Sequence, residues 1–474
     1  MKRTLFLLTL IAFIASGFGQ NSVVFEQFFS DKTMRVDYFH TGNKDVDIFS
    51  LDQVYEQCVW AGSKTNLLDT LNLGKYLVKL NDAKTNRLLY SRGFCSIFGE
   101  WQTTSEAARG VYRTFHESLL VPLPKRPVQL VIAIRRNDGY FHDKWSTVIE
   151  PDSRFVNRER PVTNGKVVEL FINGPPEQKV DILIIGDGYT AEELAKFRKD
   201  AKHFTEVLFR APPFKQRKKA FNVRAIEIVS KDSGIDEPRK NSWKNTACGC
   251  SYNSLDSPRY VLSVHNKQIR DIAANAPCDQ IYLLFNSERY GGGGIFNLYS
   301  TCYSGTNKKG EEWWADYVFV HEFGHAFAGL ADEYYSSSVA YDEFYADGVE
   351  PWEPNITALL DKQHLKWGHL VKATTPIPTP WDKAVYDSLE TELRRLDRGA
   401  PDYAEMYAKL RSELQHLLET QKYSGEVGAF EGAGYLSKGM YRPYLDCRMF
   451  SKSLVEFDPV CQEAIERMID FYSK

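Results

Sequence analysis

The sequence predicts an α+β protein. An antiparallel β-sandwich is expected over residues 20–150, followed by a mixed α/β domain over 165–474 that carries a helical-hairpin insertion at 381–420. Three observations predict this. Short, partly alternating apolar segments with turn signals crowd the first 150 residues. From Val167 onward, continuous apolar strands alternate with amphipathic helices. Two leucine-bearing helical segments joined by Gly399-Ala400-Pro401 follow later. A length of 474 residues suits two or three domains, and 43% hydrophobic residues can fill substantial cores. The net charge of -3 gives no general electrostatic case for nucleic acid or an anionic membrane, so neither is expected as a partner.

Residues 1–19 read as a secretory signal: Lys2 and Arg3, the apolar run Leu5 to Ile14, then Ala15, Ser16, Gly17 and Gly19. The run is too short to favour a transmembrane helix, and no later span is evident. Export to the periplasm, the cell surface or the medium is therefore expected, with no transmembrane segment after signal removal. The eight cysteines permit disulfides in such a setting, with Cys248 or Cys250 able to pair with Cys278 or Cys302, and buried free thiols the alternative. In the first domain, Thr33 to His40, Leu77 to Leu80, Leu88 to Ser91 and Val128 to Ile134 are β-compatible. Asn137-Asp138-Gly139-Tyr140 marks a turn, with Trp145 to Ile149 as the returning strand. Residues 151–164, bounded by prolines, read as a linker.

Val180-Asp-Ile-Leu-Ile-Ile-Gly186 then reads as a central strand. Thr190-Ala-Glu-Glu193 is a capping box opening a helix to Phe209. Phe221 to Val229 is a strand, Tyr260 to Ala276 a helix, and Gln280 to Phe285 a strand. The glycines Gly291, Gly292, Gly293 and Gly294 suggest a bulged edge strand where backbone approaches closely and an extended peptide could add. They do not form a phosphate loop, because the lysine and hydroxyl pair are missing. Asn355-Ile356-Thr357 is a formal glycosylation sequon. Asp458 to Tyr472 closes the chain as a helix.

Chemistry concentrates at Val320-His321-Glu322-Phe323-Gly324-His325. Residues four apart share a helix face, so His321 and His325 can offer two imidazoles to one ion. Glu322, one residue round, can reach a water on that ion. A third ligand is needed if the ion is catalytic zinc, which keeps its fourth position for water. On an unbroken helix Asp332 would lie about 10 Å beyond His325, at ~1.5 Å per residue. Gly329 can stop the helix and turn the chain back. Asp332 is then the favoured third ligand, Glu333 the alternative, and Glu431 a distant third.

The motif resembles the metzincins, whose pattern is His-Glu-x-x-His-x-x-Gly-x-x-His/Asp, although Gly329 and Asp332 each fall one place later. His-Glu-Phe-Gly-His-Ala-Phe-Ala-Gly-Leu-Ala-Asp-Glu-Tyr334 looks instead like the IgA-peptidase family, metallopeptidase family sixty-four, a metzincin-like group of secreted zinc endopeptidases. Gly186-Asp-Gly-Tyr-Thr190, Tyr290 with its glycine run, Leu365-Lys-Trp367, Tyr441-Arg-Pro443 and Cys447-Arg-Met449 are similar to it as well. The resemblance spans about residue 165 to the C-terminus, and the stretch before it looks like the β-rich domain that accompanies these peptidases.

By this resemblance Met449 belongs to a Met-turn beneath the histidines. Ser451 stands where some metzincins place an oxyanion-steadying tyrosine, which leaves Tyr441, Tyr435 or Tyr334 for that role. The expected activity is peptide-bond hydrolysis with one Zn2+ and Glu322 as general base. The expected substrate is a protein or peptide, with immunoglobulin A or another host glycoprotein implied by the family. The alternatives are a zinc hydrolase acting on cell-wall peptides and a non-catalytic surface binding protein.

Overall fold

Alternating burial builds the N-terminal region. Along β3 (Tyr76–Asp82), Tyr76, Val78 and Leu80 are buried while their neighbours are partly exposed, the period-two arrangement of a strand with one core face. A computed structural model describes residues 23–473 except 160, 162–164, 306–312, 337–340, 342–343, 398 and 453–454. The expected signal segment lies outside the described residues. The strands β1 (Phe29–Gly42), β2 (Asp47–Glu56), β3, β4 (Leu88–Phe94), β5 (Arg113–Pro124), β6 (Val128–Arg135), β7 (Phe141–Ile149) and β8 (Val156–Asn157) form two four-stranded sheets, ordered β5-β1-β2-β8 and β4-β3-β6-β7. Met34, Val36 and Tyr38 of the first sheet share one apolar cluster with Val78, Leu80, Leu130 and Ile132 of the second.

Strand β8 lies within the stretch 151–164 expected as a linker. Val156 and Asn157 pair with Val54 and Tyr55, because the Val156 side chain is apolar enough to join the cluster between the sheets. Three short helices, α1 (Phe25–Phe28), α2 (Ile97–Trp101) and α3 (Ser105–Ala108), complete the region. Ser96 and Thr104 cap the second and third by accepting from the N–H groups of Gly99 and Ala107. Ile97, Phe98 and Trp101 do not join the N-terminal cluster; they belong to the core of the following region.

That region is built on a six-stranded sheet ordered β13-β14-β12-β10-β11-β9: β9 (Lys166–Phe171), β10 (Val180–Asp187), β11 (Phe221–Glu227), β12 (Gln280–Phe285), β13 (Gly292–Ile295) and β14 (Tyr299–Tyr303). The four inner strands are parallel and the two edges antiparallel. All eight residues of β10 are buried, as expected for a strand covered on both faces. The Thr190/Glu193 capping box is present ahead of α4 (Leu194–Leu208).

The helix expected over Tyr260–Ala276 is confined to α5 (Asn266–Ala273). Its first residues are drawn into bridges instead: Val261 N–H donates to Gly292 O, and Leu262 O accepts from Ser251 N–H. The motif helix is α6 (Trp313–Ala328). Two amphipathic helices, α7 (Lys383–Arg395) and α8 (Tyr403–Thr420), pack on each other, with Leu410, Leu414 and Leu418 buried. The hairpin β15 (Phe430–Ala433) and β16 (Leu436–Arg442) then leads to the final helix α9 (Pro459–Ser473). Among the described residues, no helix is long and apolar enough to cross a membrane.

Candidate active site

The apolar faces of α6 fix its orientation. Val318, Phe319, Phe323 and Phe327 are buried in the main core, while His321 and His325 turn toward Asp332. Each imidazole is held from behind. His321 Nδ1 lies 3.1 Å from Arg448 O, and the Tyr317 hydroxyl, which donates to that carbonyl, lies 3.2 Å from the same ring nitrogen. His325 Nδ1 lies 2.6 Å from Leu330 O. Carbonyls accept only, so both Nδ1 atoms carry protons, and the Nε2 atoms are the nitrogens left to bind an ion once they give up any proton of their own. Those two Nε2 atoms are 3.2 Å apart.

The helix ends where the sequence suggested. Gly329 has φ +63, a left-handed value that a glycine takes without strain. Its N–H donates to His325 O, and Leu330 N–H reaches back to Gly324 O. A Cβ at Gly329 would also stand 2.9 Å from the Trp352 ring. The reversed chain delivers Asp332, whose Oδ1 lies 3.1 Å from His321 Nε2 and 3.3 Å from His325 Nε2. The other carboxylate oxygen, Oδ2, accepts the Tyr435 hydroxyl at 2.7 Å. Oδ1 is buried and no donor is aligned on it.

These donors fit a metal ion. Tetrahedral zinc with bonds of ~2.0 Å separates its ligand atoms by ~3.3 Å, and the three edges here measure 3.1, 3.2 and 3.3 Å. Burial alone would lower the basicity of His325, but Asp332 outweighs it and pushes the ring up to about 9. Burial would likewise raise Asp332, yet the two imidazoles hold it well below the usual carboxylate range. Such mutual stabilisation marks a place built for positive charge beside Asp332. Glu322 is raised above an ordinary glutamate by burial, with both imidazoles opposing.

The other expected site residues divide. Glu333 faces away from the histidines and lies with Cys447, Asp458 and Cys461, because its N–H is tied to Met449 O and its carboxylate to Asn355. Glu431 accepts from Gly439 N–H within its own hairpin. Met449 is fully buried, and its sulfur would stand 3.3 Å from a Cβ at Gly324, directly under the motif. Tyr435 donates to Asp332, and burial beside the Asp332 charge pushes the Tyr334 hydroxyl up. Tyr441 sits opposite Glu431 with its backbone bonded to Thr357.

The glycine run forms the sheet edge, although its register with β14 runs without the expected bulge. None of its four glycines has a left-handed φ; space is what they provide. A Cβ at Gly292 would meet Val318 at 2.7 Å and Glu322 Cγ at 3.3 Å. One at Gly294 would overlap the Glu322 carbonyl oxygen and stand 3.0 Å from His325 Cβ. At Gly292 the outer edge is already taken by Arg259 O and Val261 N–H.

Several residues near the site carry no local sequence signal. Glu100, from the N-terminal region, accepts the hydroxyls of Tyr260 at 2.5 Å and Tyr341 at 2.9 Å. Burial pushes it up to about 7, against those two bonds and the nearby His325. Arg259 is held in its charged form despite burial by Tyr334, Tyr290, Asp332 and Glu322. Asn355, read as a glycosylation sequon, is fully buried; its amide bonds Ala331 N–H, Ala331 O and Glu333 Oε1. Asp187 of the Gly-Asp-Gly-Tyr stretch accepts from Cys248 N–H and Cys250 N–H, a structural clamp. The pairing considered for Cys248 or Cys250 is not formed, and both are buried thiols.

Comparison with known proteins matches these observations to a family. No curated protein matches the chain. Residues 168–469 match the family model described as IgA Peptidase M64, and residues 24–146 match that described as Peptidase M64 N-terminus. The first match alone covers more than half of the chain and contains every residue of the histidine–aspartate centre. The chain therefore belongs to the IgA peptidase M64 family and is a metallopeptidase that hydrolyses peptide bonds.

Proposed function

We propose that this protein is an exported, metzincin-like zinc endopeptidase in which His321, His325 and Asp332 hold the ion and Glu322 is the general base. The observation that carries this reading is the triangle of Nε2, Nε2 and Oδ1 atoms with edges of 3.1 to 3.3 Å, one helix residue away from Glu322. Three protein ligands leave one position for solvent. Zinc held by these residues would supply Lewis acidity to the scissile carbonyl and to the attacking water. Glu322 would take a proton from the attacking water and return it to the leaving amine. Its raised proton affinity suits both halves of that transfer. Tyr435 holds Asp332 from behind, and the Arg448 and Leu330 carbonyls hold the imidazoles.

Met449 beneath Gly324 supports the metzincin-like reading, and the shared cluster between the N-terminal sheets supports a β-sandwich. We assign the substrate to immunoglobulin A or another host glycoprotein on the family's description alone, with cell-wall peptides the competing class. The N-terminal charge and apolar run of residues 1–19 support export.

The test is Glu322→Ala, assayed on a broad peptide library alongside zinc content. The expected result is hydrolysis lowered by at least 10²-fold, the loss of a general acid–base group, with zinc retained. Hydrolysis at the wild-type rate would overturn the mechanism. Digestion of immunoglobulin A beside a peptidoglycan-derived peptide decides the substrate class.

A further inference from the structure

Behind the histidine–aspartate centre lies a second group of ligating side chains that the mechanism does not use. Glu333, Cys447, Asp458 and Cys461 each offer one donor atom, all within 4.8 Å of one another. Three are fully buried and Asp458 is 3% exposed. We propose that they form a structural site for a thiophilic divalent cation, zinc by ligand type. The ion would tie the loop after α6 to the methionine turn and to the start of α9. The inference goes beyond the proposed mechanism and does not rest on it.

Two orphaned oxygens point to an ion. Glu333 Oε2 and Asp458 Oδ2 are buried with no hydrogen-bond partner. Their companion oxygens are satisfied: Glu333 Oε1 accepts Asn355 Nδ2 at 2.9 Å and the Cys461 thiol at 3.2 Å. Asp458 Oδ1 accepts Val460 N–H at 2.7 Å and Cys461 N–H at 3.0 Å. Two carboxylates facing each other in a dry interior, each with an unmet oxygen, need a proton or a cation between them.

The sulfurs favour the cation. Cys447 Sγ accepts two backbone donors, Met449 N–H and Asp458 N–H, each at 3.4 Å. Without an ion, burial and the neighbouring carboxylates keep the Cys447 thiol protonated, and the converging donors would steady the thiolate once an ion displaces that proton. Cys447 and Cys461 Sγ are 3.9 Å apart. Tetrahedral zinc with Zn–S bonds of ~2.3 Å separates two sulfurs by ~3.8 Å, whereas a disulfide needs them at ~2.05 Å. Two thiolates and two carboxylates match the sulfur and oxygen donors that zinc accepts.

Charge can close as well. Two thiolates balance a divalent ion, and a carboxyl pair keeping one proton leaves a single negative charge. Arg442 can offset it: that guanidinium is buried, feels Glu333, and among the described residues donates to the carbonyls of Glu431, Gly432 and Leu445. Thiol protons are released as the ion binds. The location gives the site its consequence. Glu333 follows Asp332, Cys447 precedes Met449 by two residues, and Glu333 N–H already bonds Met449 O at 2.9 Å. An ion there would fix both the third ligand's loop and the turn under the motif.

The experiment uses the full chain, loaded with zinc, desalted and assayed for metal per protein by mass spectrometry. Wild type should carry two equivalents, Cys461→Ser one, His321→Ala one, and the double variant none. Cobalt loading should give a thiolate charge-transfer band that His321→Ala keeps and Cys447→Ser loses. Should the cysteine variants fail to fold, Asp458→Asn serves, with its band shifted or weakened. One equivalent in wild type, lost in Cys461→Ser but kept in His321→Ala, would support this site and sink the histidine centre. One equivalent kept in Cys461→Ser and no cobalt–thiolate band would overturn the proposal, as would a Cys447–Cys461 disulfide in the unreduced protein's peptide map.

Discussion

The glycine run offers the sharpest test of how the site is assembled. Gly294→Ala adds one methyl group to β13, facing α6. That methyl would overlap the Glu322 carbonyl oxygen and stand 3.0 Å from His325 Cβ and 3.1 Å from the Glu322 carbonyl carbon. All three atoms belong to the helix that presents the imidazoles, so they move only if the helix moves. Restoring ordinary contact takes a displacement on the order of 1 Å, a misplacement that can lower a rate about 10²-fold. Overpacking of this kind also destabilises by roughly 1–3 kcal/mol. Gly368→Ala is the control, because its added methyl meets only Leu365 Cβ at 3.8 Å and its φ is not left-handed. The assay is kcat/KM on a quenched peptide, thermal unfolding, and zinc affinity by chelator competition. The expected outcome is a large loss of kcat/KM with a modest loss of stability for Gly294→Ala, and neither for Gly368→Ala. Wild-type activity and unfolding temperature in Gly294→Ala would refute the claim that these glycines exist to seat the strand on the helix.

Further outcomes follow from the same contacts. Tyr435→Phe removes the donor to Asp332 Oδ2, so zinc affinity should fall about 10- to 100-fold, read by chelator competition; unchanged affinity would remove Tyr435 from the account. Glu353, buried at 3% exposure, is pushed up to about 7 from an ordinary 4.5 by burial, with Lys366 and Tyr345 opposing. Below pH 4.5 both native and unfolded states hold its proton. As pH rises toward 7 only the native state does, so ~1.4 kcal/mol of stability is lost per pH unit. Glu353→Gln lacks that slope, and its unfolding temperature relative to wild type should climb across this window; a constant difference contradicts the assignment. Asn355→Ala leaves the Ala331 amide and Glu333 without their partner, a cost of about 1–3 kcal/mol in chemical denaturation. Expression in a glycosylating host should add no glycan mass at Asn355.

Local chemistry was legible in the sequence and long-range packing was not. His321 and His325 announce themselves because four residues is one helical turn, and Gly329 marks the reversal that brings Asp332 back. The choice between Asp332 and Glu333 was open because adjacent carboxylates look alike. What sets the two carboxylates apart in space is bonds from distant segments, Met449 O to Glu333 N–H and Tyr435 OH to Asp332. The central strand Val180–Asp187 and the capping box at Thr190 read correctly from apolar run and spacing. The helix at 260–276 was drawn too long because periodicity cannot register that Val261 prefers Gly292 as a backbone partner. Asn355 satisfied a three-residue motif that says nothing of burial. Glu100 was invisible because its meaning comes from Tyr260 and Tyr341, far along the chain.

The reach of Glu100 bears on how the molecule can be divided. Ile97, Phe98, Trp101 and Phe115 fill the same core as the strands of the six-stranded sheet, and Glu100 accepts the hydroxyls of Tyr260 and Tyr341 from that position. The family boundaries at 24–146 and 168–469 thus describe inheritance rather than mechanical independence. A fragment trimmed to the second span would expose the apolar seat of that short helix to water and leave Tyr260 and Tyr341 without their anchor. The N-terminal strands and the span that carries the histidines thus draw on one hydrophobic interior, and a cut between them opens it.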